Sequence, residues 1–225
     1  MLNSQQLRKC VDMTLLSSSA TYNDLEQLAE QALKFKVGAI CVNSFNVSRV
    51  KKIIGSHDVK ICSVVGYPLG ANLTDVKSYE AKLAISNGAC EIDMVMNVGA
   101  FLSEDFRFVR EDINKVVREC PGAIIKVIIE VGLLNHNQIR QAAIIVNEAR
   151  AHFVKTMSGF AGTVTSPEQV KIIKNAVGED LGIKVSGGTR TYEAVYNFIM
   201  AGANRIGIRP QDVNNIIEEW KKKHG

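Results

Sequence analysis

The sequence lacks the motifs that identify a histidine-based metal site, a disulfide framework or a serine hydrolase. Its four histidines show neither H-x-H nor H-E-x-x-H spacing, so we expect no metal centre. Its five cysteines are odd in number, widely spaced and without a C-x-x-C pair, which predicts reduced thiols in a cytoplasmic protein. No serine stands in a G-x-S-x-G context, and nothing resembles a P-loop.

Long apolar runs and strong net charge are absent as well. No segment approaches the roughly 18 apolar residues of a membrane span, and residues 1–9 have no apolar core, so we expect neither a membrane segment nor a signal peptide. The net charge is only +4, and part of it comes from three lysines at 221–223. Because basic and aromatic residues do not interleave elsewhere, we expect no nucleic-acid partner.

What the sequence does contain is an eightfold alternation of short β-rich runs and amphipathic helical stretches. Its 225 residues, 46% of them apolar, are enough to bury a large core. The alternation predicts an α/β fold in which residues 1–225 form a single (β/α)8 (TIM) barrel. An open doubly wound sheet is the alternative, weakened because no G-x-G-x-x-G follows the first strand. The predicted strands are 11–15, 38–43, 60–65, 90–95, 124–130, 152–156, 182–186 and 203–207. The predicted helices are 22–36, 47–55, 75–87, 104–119, 135–150, 166–177, 190–201 and 210–222.

Polar and charged residues gather where these strands end, which is the catalytic end of such barrels. A structural ion-pair network would explain one or two of them, but convergence from five strands favours a site. Strands also alternate their faces, so Lys126 and Glu130, for example, are expected on one face. The residues in question are Asp12, Thr14, Cys41, Asn43, Glu91, Asp93, Lys126, Glu130, Lys155 and Lys184.

Lys155 and Lys184 are the most informative of these residues, because each ends a short apolar run and is followed by small residues. A buried ammonium is costly unless it is paired or loses its proton. A lysine amine attacks a carbonyl only when deprotonated, and a second cation nearby favours the neutral form. Two lysines on adjacent strands therefore predict a Schiff-base pair, with Asp93 able to move protons. The alternative is that each lysine is an ion-pair partner at the barrel rim, and the residues alone leave open which would be the nucleophile.

A phosphate site is suggested by Ser186-Gly-Gly-Thr-Arg190, a glycine turn that opens a predicted helix. Backbone N–H groups in such a turn can hold an anion, although the same pattern is common in tight βα turns. Its position after the penultimate strand favours phosphate, because these barrels often bind it with the last two βα loops. The last loop offers Arg209, but its Pro210 has no N–H to donate.

Several long segments stand out over nearly the full length of the chain: Ser63–Ala71, Tyr79–Lys82, Asn87–Val95, Lys126–Glu130, Phe153–Thr156 with Gly159 and Phe160, and Ser186–Thr191. In this order they closely resemble deoxyribose-phosphate aldolases. The resemblance implies a class I aldolase barrel that reversibly joins acetaldehyde to glyceraldehyde 3-phosphate without a metal or organic cofactor. It implies small aldehydes and sugar phosphates as partners, and by analogy a possible homodimer.

The resemblance also implies roles for particular residues. Lys155 matches the Schiff-base lysine, Lys184 the second lysine that makes the nucleophile less basic, and Asp93 the proton-relay acid. The matching supporting and substrate-binding positions, together with the candidates from the strand and loop ends, are Asp12, Thr14, Cys41, Lys126, Ser158, Gly159, Gly187, Gly188 and Arg209.

The chain departs from the family's pattern at three places. Met157 replaces a small polar residue, and Val185 replaces the usual Ala. The largest change is at residues 207–210, where Gly-Ile-Arg-Pro replaces a glycine and paired serines whose backbone binds phosphate. Two alternatives to the main prediction follow: an aldolase with an altered acceptor aldehyde, or a barrel that binds a sugar phosphate without turnover.

Overall fold

Eight parallel strands close into one barrel in this computed structural model, which describes residues 2–224. The strands pair in chain order, and the eighth returns to the first, so the predicted (β/α)8 barrel is confirmed and the open sheet is wrong. The strands are β1 Val11–Leu15, β2 Ala39–Val42, β3 Lys60–Val65, β4 Glu91–Val95, β5 Ile124–Ile128, β6 Phe153–Lys155, β7 Gly182–Val185 and β8 Arg205–Ile208.

Ten α-helices lie between Leu2 and His224, and eight of them alternate with the strands as predicted. The other two, α1 and α5, were not predicted. None of the ten combines the length and apolar content needed to cross a bilayer. The helices are α1 Ser4–Cys10, α2 Tyr22–Phe35, α3 Val47–Ile54, α4 Thr74–Ser86, α5 Val98–Leu102, α6 Phe106–Glu119, α7 His136–Glu148, α8 Pro167–Val177, α9 Tyr192–Met200 and α10 Pro210–His224.

Helix α2 shows how the sequence builds the outer layer. The Thr21 side chain accepts a hydrogen bond from the Asp24 N–H, and the Asp24 side chain accepts one from the Thr21 N–H, so both ends of a capping box are present. Its apolar residues recur at helical spacing, and Leu25 and Leu28 are fully or almost fully buried against the strands. Burying one such leucine stabilises the fold by about 2 kcal/mol. Packing of this face, repeated around the ring, holds the barrel in shape.

The centre of the barrel is occupied by charged side chains. Along β5, for example, Ile125 and Val127 belong to the apolar layer between strands and helices, and Lys126 has the opposite orientation. Lys126 is the register partner of Asp93 on β4, and Lys155 on β6 is the register partner of Lys184 on β7. The two lysines singled out by the sequence thus stand side by side on neighbouring strands.

Candidate active site

Asp93 is the centre of the charged cluster. One of its oxygens, Oδ2, accepts hydrogen bonds from the Nζ atoms of Lys155 and Lys184, at 2.9 and 2.6 Å. The other, Oδ1, accepts one from Lys126 Nζ at 2.9 Å and one from the Cys62 thiol at 3.0 Å. Burial opposes ionisation of Asp93, but the three ammonium groups outweigh it and hold the pKa of Asp93 well below its usual range. The resting residue is therefore a carboxylate, able to accept a proton.

A second layer of ion pairs lies below Asp93. Lys184 Nζ is 2.5 Å from Asp12 Oδ2, and Lys126 Nζ is 2.6 Å from Glu91 Oε2. Arg205 bridges the two carboxylates from β8. Burial by itself raises the pKa of Asp12. The cations of Lys184, Arg205 and Lys126 together have the larger effect and lower this pKa to about 2. We call these seven side chains the buried ion cluster: Asp12, Glu91, Asp93, Lys126, Lys155, Lys184 and Arg205.

Lys155 differs from the other two lysines of the buried ion cluster. Lys184 and Lys126 each contact two carboxylates, whereas within residues 2–224 Lys155 contacts one, that of Asp93. Burial disfavours the ammonium of Lys184, yet Asp12 and Asp93 outweigh it and raise the pKa of Lys184 well above its usual range. Lys184 is therefore a permanent cation beside Lys155.

The charge balance of the cluster favours the loss of one proton. Its four cations face three carboxylates, which leaves one excess positive charge among fully or largely buried groups. An excess charge in a buried site is costly, and the loss of one proton from a lysine removes it. Among the three lysines, Lys155 has the fewest carboxylate partners, so carboxylates stabilise its ammonium least.

Above the cluster, a cavity of about 420 Å³ opens at the carboxyl ends of the strands. Lys155 lies in its wall, whereas Lys184, Lys126 and Asp93 lie beneath it. The cavity therefore exposes one amine of the cluster to a ligand. The rest of its lining comes mainly from β1 and from the segments that follow β3, β6, β7 and β8.

Gly187 and Gly188 form one wall of this cavity. Both have positive φ, at 81° and 86°, which only glycine adopts without strain. A side chain at 187 would also lie 3.0 Å from Met157 Sδ. Within residues 2–224, no protein group accepts a hydrogen bond from the N–H of Gly187 or Gly188. The turn therefore offers two N–H donors beside the cavity, as an anion site requires.

Two arginines and the start of α10 complete the far end of the cavity. Arg190 lines it, and no carboxylate lies within 4.0 Å of Arg190 in the described part of the chain. Arg209 is already paired, because its Nε and one of its terminal nitrogens each lie 2.8 Å from Asp212 Oδ2. The predicted last loop is a single residue, Arg209, because β8 ends at Ile208 and α10 begins at Pro210. Gly207 stays small for a local reason, since a Cβ there would lie 2.7 Å from Ser186 Oγ.

Two thiols adjoin Asp93. Cys41 and Cys62 are register partners on β2 and β3, and their sulfur atoms and an Asp93 oxygen lie within 4.8 Å of one another. Three such ligand atoms could contact one metal ion. However, the ammonium groups that bind Asp93 would face that ion at close range, so the surroundings suit a carboxylate among lysines better than a bound cation.

Comparison with known proteins agrees with this geometry. The family model described as "DeoC/LacD family aldolase" matches residues 8–207. The chain belongs to this aldolase family. It is 44% identical over 203 residues to a deoxyribose-phosphate aldolase of Clostridium tetani, covering 90% of this chain and 94% of that one. It is 46% identical over 198 residues to that of Natranaerobius thermophilus, covering 88% and 90%. A solved aldolase, QR15, superimposes with a TM-score of 0.90 at 39% identity, covering 96% of each chain.

Two of the three places where we expect a departure from the resembled family lie outside the cavity. Met157 and Val185 are fully buried in the layer between strands and helices. The third departure, at Arg209 and Pro210, lines the cavity itself. Of the three expected departures, only the one at residues 207–210 is therefore placed to contact a ligand in the cavity.

The predicted site residues fall into two groups in this aldolase. The first group lines the cavity and consists of Thr14, Lys155, Ser158, Gly159, Gly187, Gly188 and Arg209. The second group is buried beneath it and consists of Asp12, Cys41, Asp93, Lys126 and Lys184. Asp93 thus contacts Lys155, and Lys184 contacts Asp93, but neither of them lines the cavity.

Three contributors to the site were not predicted. Tyr67 lines the cavity, and its hydroxyl donates to the Ser158 carbonyl at 2.7 Å. Burial raises the pKa of Tyr67, with nearby Cys41 and Glu130 adding to the effect, so the phenol stays a donor. Arg190 lies in the segment Ser186–Thr191 and Arg205 in the predicted strand 203–207, but neither segment indicates that Arg190 reaches the cavity or that Arg205 reaches the buried ion cluster.

Proposed function

We propose that this chain is a class I aldolase that reversibly cleaves 2-deoxy-D-ribose 5-phosphate to acetaldehyde and D-glyceraldehyde 3-phosphate. The observation that carries the proposal is the position of Lys155: it is a cavity-lining amine held beside the permanent cation of Lys184 by one shared carboxylate oxygen. The names of the relatives point to the same substrate.

In the proposed reaction, neutral Lys155 Nζ adds to the C1 aldehyde carbon of the open-chain sugar, and the resulting carbinolamine loses water to give an iminium ion. The C2–C3 bond then breaks, the C3 hydroxyl gives up its proton, and the bonding electron pair moves into an enamine. Glyceraldehyde 3-phosphate leaves as the C3–C5 fragment. Protonation of the enamine at C2 and hydrolysis of the imine release acetaldehyde and restore the amine.

Asp93 is the proposed proton carrier. It starts as a carboxylate 2.9 Å from Lys155 Nζ, so it can accept the proton that Lys155 must lose. Conversion of Lys155 into a neutral amine then removes one of the three cations that keep Asp93 ionised. Asp93 consequently holds a proton more readily at the stage when the carbinolamine needs an acid to expel water.

The far end of the cavity is the proposed phosphate site. The N–H groups of Gly187 and Gly188 supply hydrogen bonds, Gly159 keeps the opposite wall open, and Arg190 and Arg209 supply charge. Thr14 and Ser158 line the same cavity and are available to contact substrate hydroxyls. Asp12 and Lys126 are proposed to fix the positions of Lys184 and Asp93 from below.

The proposal is tested by assaying cleavage of 2-deoxyribose 5-phosphate and of 2-deoxyribose side by side. We expect cleavage of both, with a much larger kcat/KM for the phosphorylated sugar. Absence of acetaldehyde from either sugar would mean that the chain binds without turnover. The expected homodimer is a separate prediction, checked by light scattering.

A second candidate is an aldolase with an altered acceptor, and the Arg209–Asp212 pair favours it. Asp212 is within hydrogen-bonding distance of two Arg209 nitrogens, so part of the charge available to phosphate is already engaged. A smaller preference for phosphate would follow. Equal kcat/KM for the two sugars would support this candidate over the main one.

A further inference from the structure

A second cavity lies at the opposite end of the barrel from Lys155. It measures about 900 Å³, and its lining comes from segments next to the amino ends of the first three strands. Lys9 precedes β1, Leu33, Lys34 and Lys36 precede β2, and His57 to Val59 precede β3. We call it the basic cavity. None of its lining residues belongs to the proposed aldolase site.

The lining of the basic cavity concentrates the positive charge of the chain. Five cationic side chains line it against one carboxylate, Asp58. The chain has 27 Lys and Arg and 23 Asp and Glu, so removing this lining leaves 22 of each. The lining of this one cavity therefore carries a net charge of +4, equal to that of the whole chain. The five cationic side chains are Arg8, Lys9, Lys34, Lys36 and Lys221.

Most of these cations have no carboxylate partner. Asp58 lies 3.1 Å from Lys9 and 3.4 Å from Lys60, so it is already shared by two lysines. Within residues 2–224, no carboxylate lies within 4.0 Å of the other four cations of the cavity. Unpaired like charges around one cavity repel one another, and a multivalent anion would relieve that repulsion.

Lys36 adds an independent observation. It caps α2 in the left-handed region, with φ 53° and ψ 45°. Glycine or asparagine normally fills this position, because a longer side chain there is strained. Strained backbone of this kind is concentrated at ligand sites. Lys36 thus places a cation on strained backbone at the wall of the basic cavity.

The volume and the apolar lining of the basic cavity indicate which class of ligand it can bind. Its volume falls in the range of sites for organic ligands rather than for a single inorganic phosphate. Leu33 and Val59 supply apolar surface between the cations. We infer that the basic cavity binds an organic polyphosphate, with the phosphate chain on the lysines and Arg8 and the organic body against Leu33 and Val59.

The test is calorimetric titration of the full chain with ATP and, separately, with inorganic tripolyphosphate, both without divalent metal. The variant is Lys34→Gln with Lys36→Gln, which removes two charges and keeps a long side chain at the strained position. The control is Lys52→Gln with Lys171→Gln, an equal charge change on α3 and α8, away from this cavity. Cleavage of 2-deoxyribose 5-phosphate should be unchanged in both variants.

We expect ATP to bind the wild type and the control pair alike, and the cavity variant about tenfold more weakly, the size of two lost exposed ion pairs. Weaker binding of tripolyphosphate than of ATP would support contact between the organic body and Leu33 and Val59, whereas equal binding would overturn the inference of an organic ligand. No binding of either probe at about 1 mM would overturn the inference. So would equal affinity in the two variants, since binding would then lie elsewhere.

Discussion

Replacing Lys184 by Met removes a buried cation beside the proposed nucleophile while nearly preserving side-chain volume. The Nζ atoms of Lys155 and Lys184 lie 2.9 and 2.6 Å from the same Asp93 oxygen, so they are at most 5.5 Å apart. Two unit charges at that separation repel by about 3 kcal/mol at an effective dielectric constant near 20. That energy corresponds to about two pH units in the titration of either group.

The loss of this repulsion should appear in the pH dependence of cleavage. In Lys184→Met, the pH midpoint of kcat/KM should move about two units toward alkaline pH. Activity at neutral pH should fall about a hundredfold and recover as the pH rises. The assay is the initial rate of acetaldehyde release from 2-deoxyribose 5-phosphate between about pH 6 and pH 10, with the folded state checked by circular dichroism.

The matched control is Lys171→Met, an exposed lysine on α8 that should leave the profile unchanged. The reasoning would be refuted if Lys184→Met lowered kcat/KM by the same factor at every pH. That result would mean that Lys184 acts through the position of Asp93 alone and not through its charge.

Three further predictions concern the phosphate site, acid stability and a buried ion pair. Arg209→Ala should raise KM for 2-deoxyribose 5-phosphate about tenfold, the loss of one charge-assisted hydrogen bond, and leave 2-deoxyribose unaffected; unchanged steady-state kinetics would discard the contact. The pKa of Asp12 is lowered to about 2, so its stabilisation of about 2 kcal/mol is present above about pH 4 and lost as the pH falls toward 2. Urea unfolding should show that loss in the wild type, and an equally steep loss in Asp12→Asn would contradict it. Lys77→Met leaves the Asp112 carboxylate, 2.7 Å from Lys77 Nζ in a fully buried pair, without its cation. Denaturant titration should show a loss of about 3–5 kcal/mol, with kcat unchanged; a loss below about 1 kcal/mol would mean that the pair is not buried in solution.

The barrel was predictable because its signals are periodic and local. Eight β-rich runs alternate with helical patterns, and both ends of each run lie within two residues of the ends of the observed strand. The helices that sequence analysis missed are short: α1 has seven residues and α5 only five. Fewer than two helical turns give too few apolar repeats to establish a period.

The end of β5 shows where strand periodicity fails. The predicted strand continued to Glu130, on the same face as Lys126, but β5 ends at Ile128. Glu130 has φ 56°, a left-handed conformation, and its carboxylate accepts hydrogen bonds from the Ser158 N–H. A single residue with positive φ breaks the alternation of faces, and a glutamate gives no warning of it.

The buried ion cluster was only partly predictable. Six of its members were recognised at strand ends, because charged residues are unexpected in buried strands. Arg205 was missed, since an arginine at a strand start usually lies in solvent. Its partners are distant in sequence: Asp12 is separated from Arg205 by 193 positions and Glu91 by 114. Closure of the barrel, not sequence spacing, brings them together.

The most direct test of the account is to trap the imine with borohydride in the presence of acetaldehyde and to locate the modification by peptide mass spectrometry. We expect one ethyl group on Lys155, none on Lys184 or Lys126, and no labelling of Lys155→Leu. Labelling of Lys184 in place of Lys155, or no labelling of a protein that cleaves 2-deoxyribose 5-phosphate, would contradict it.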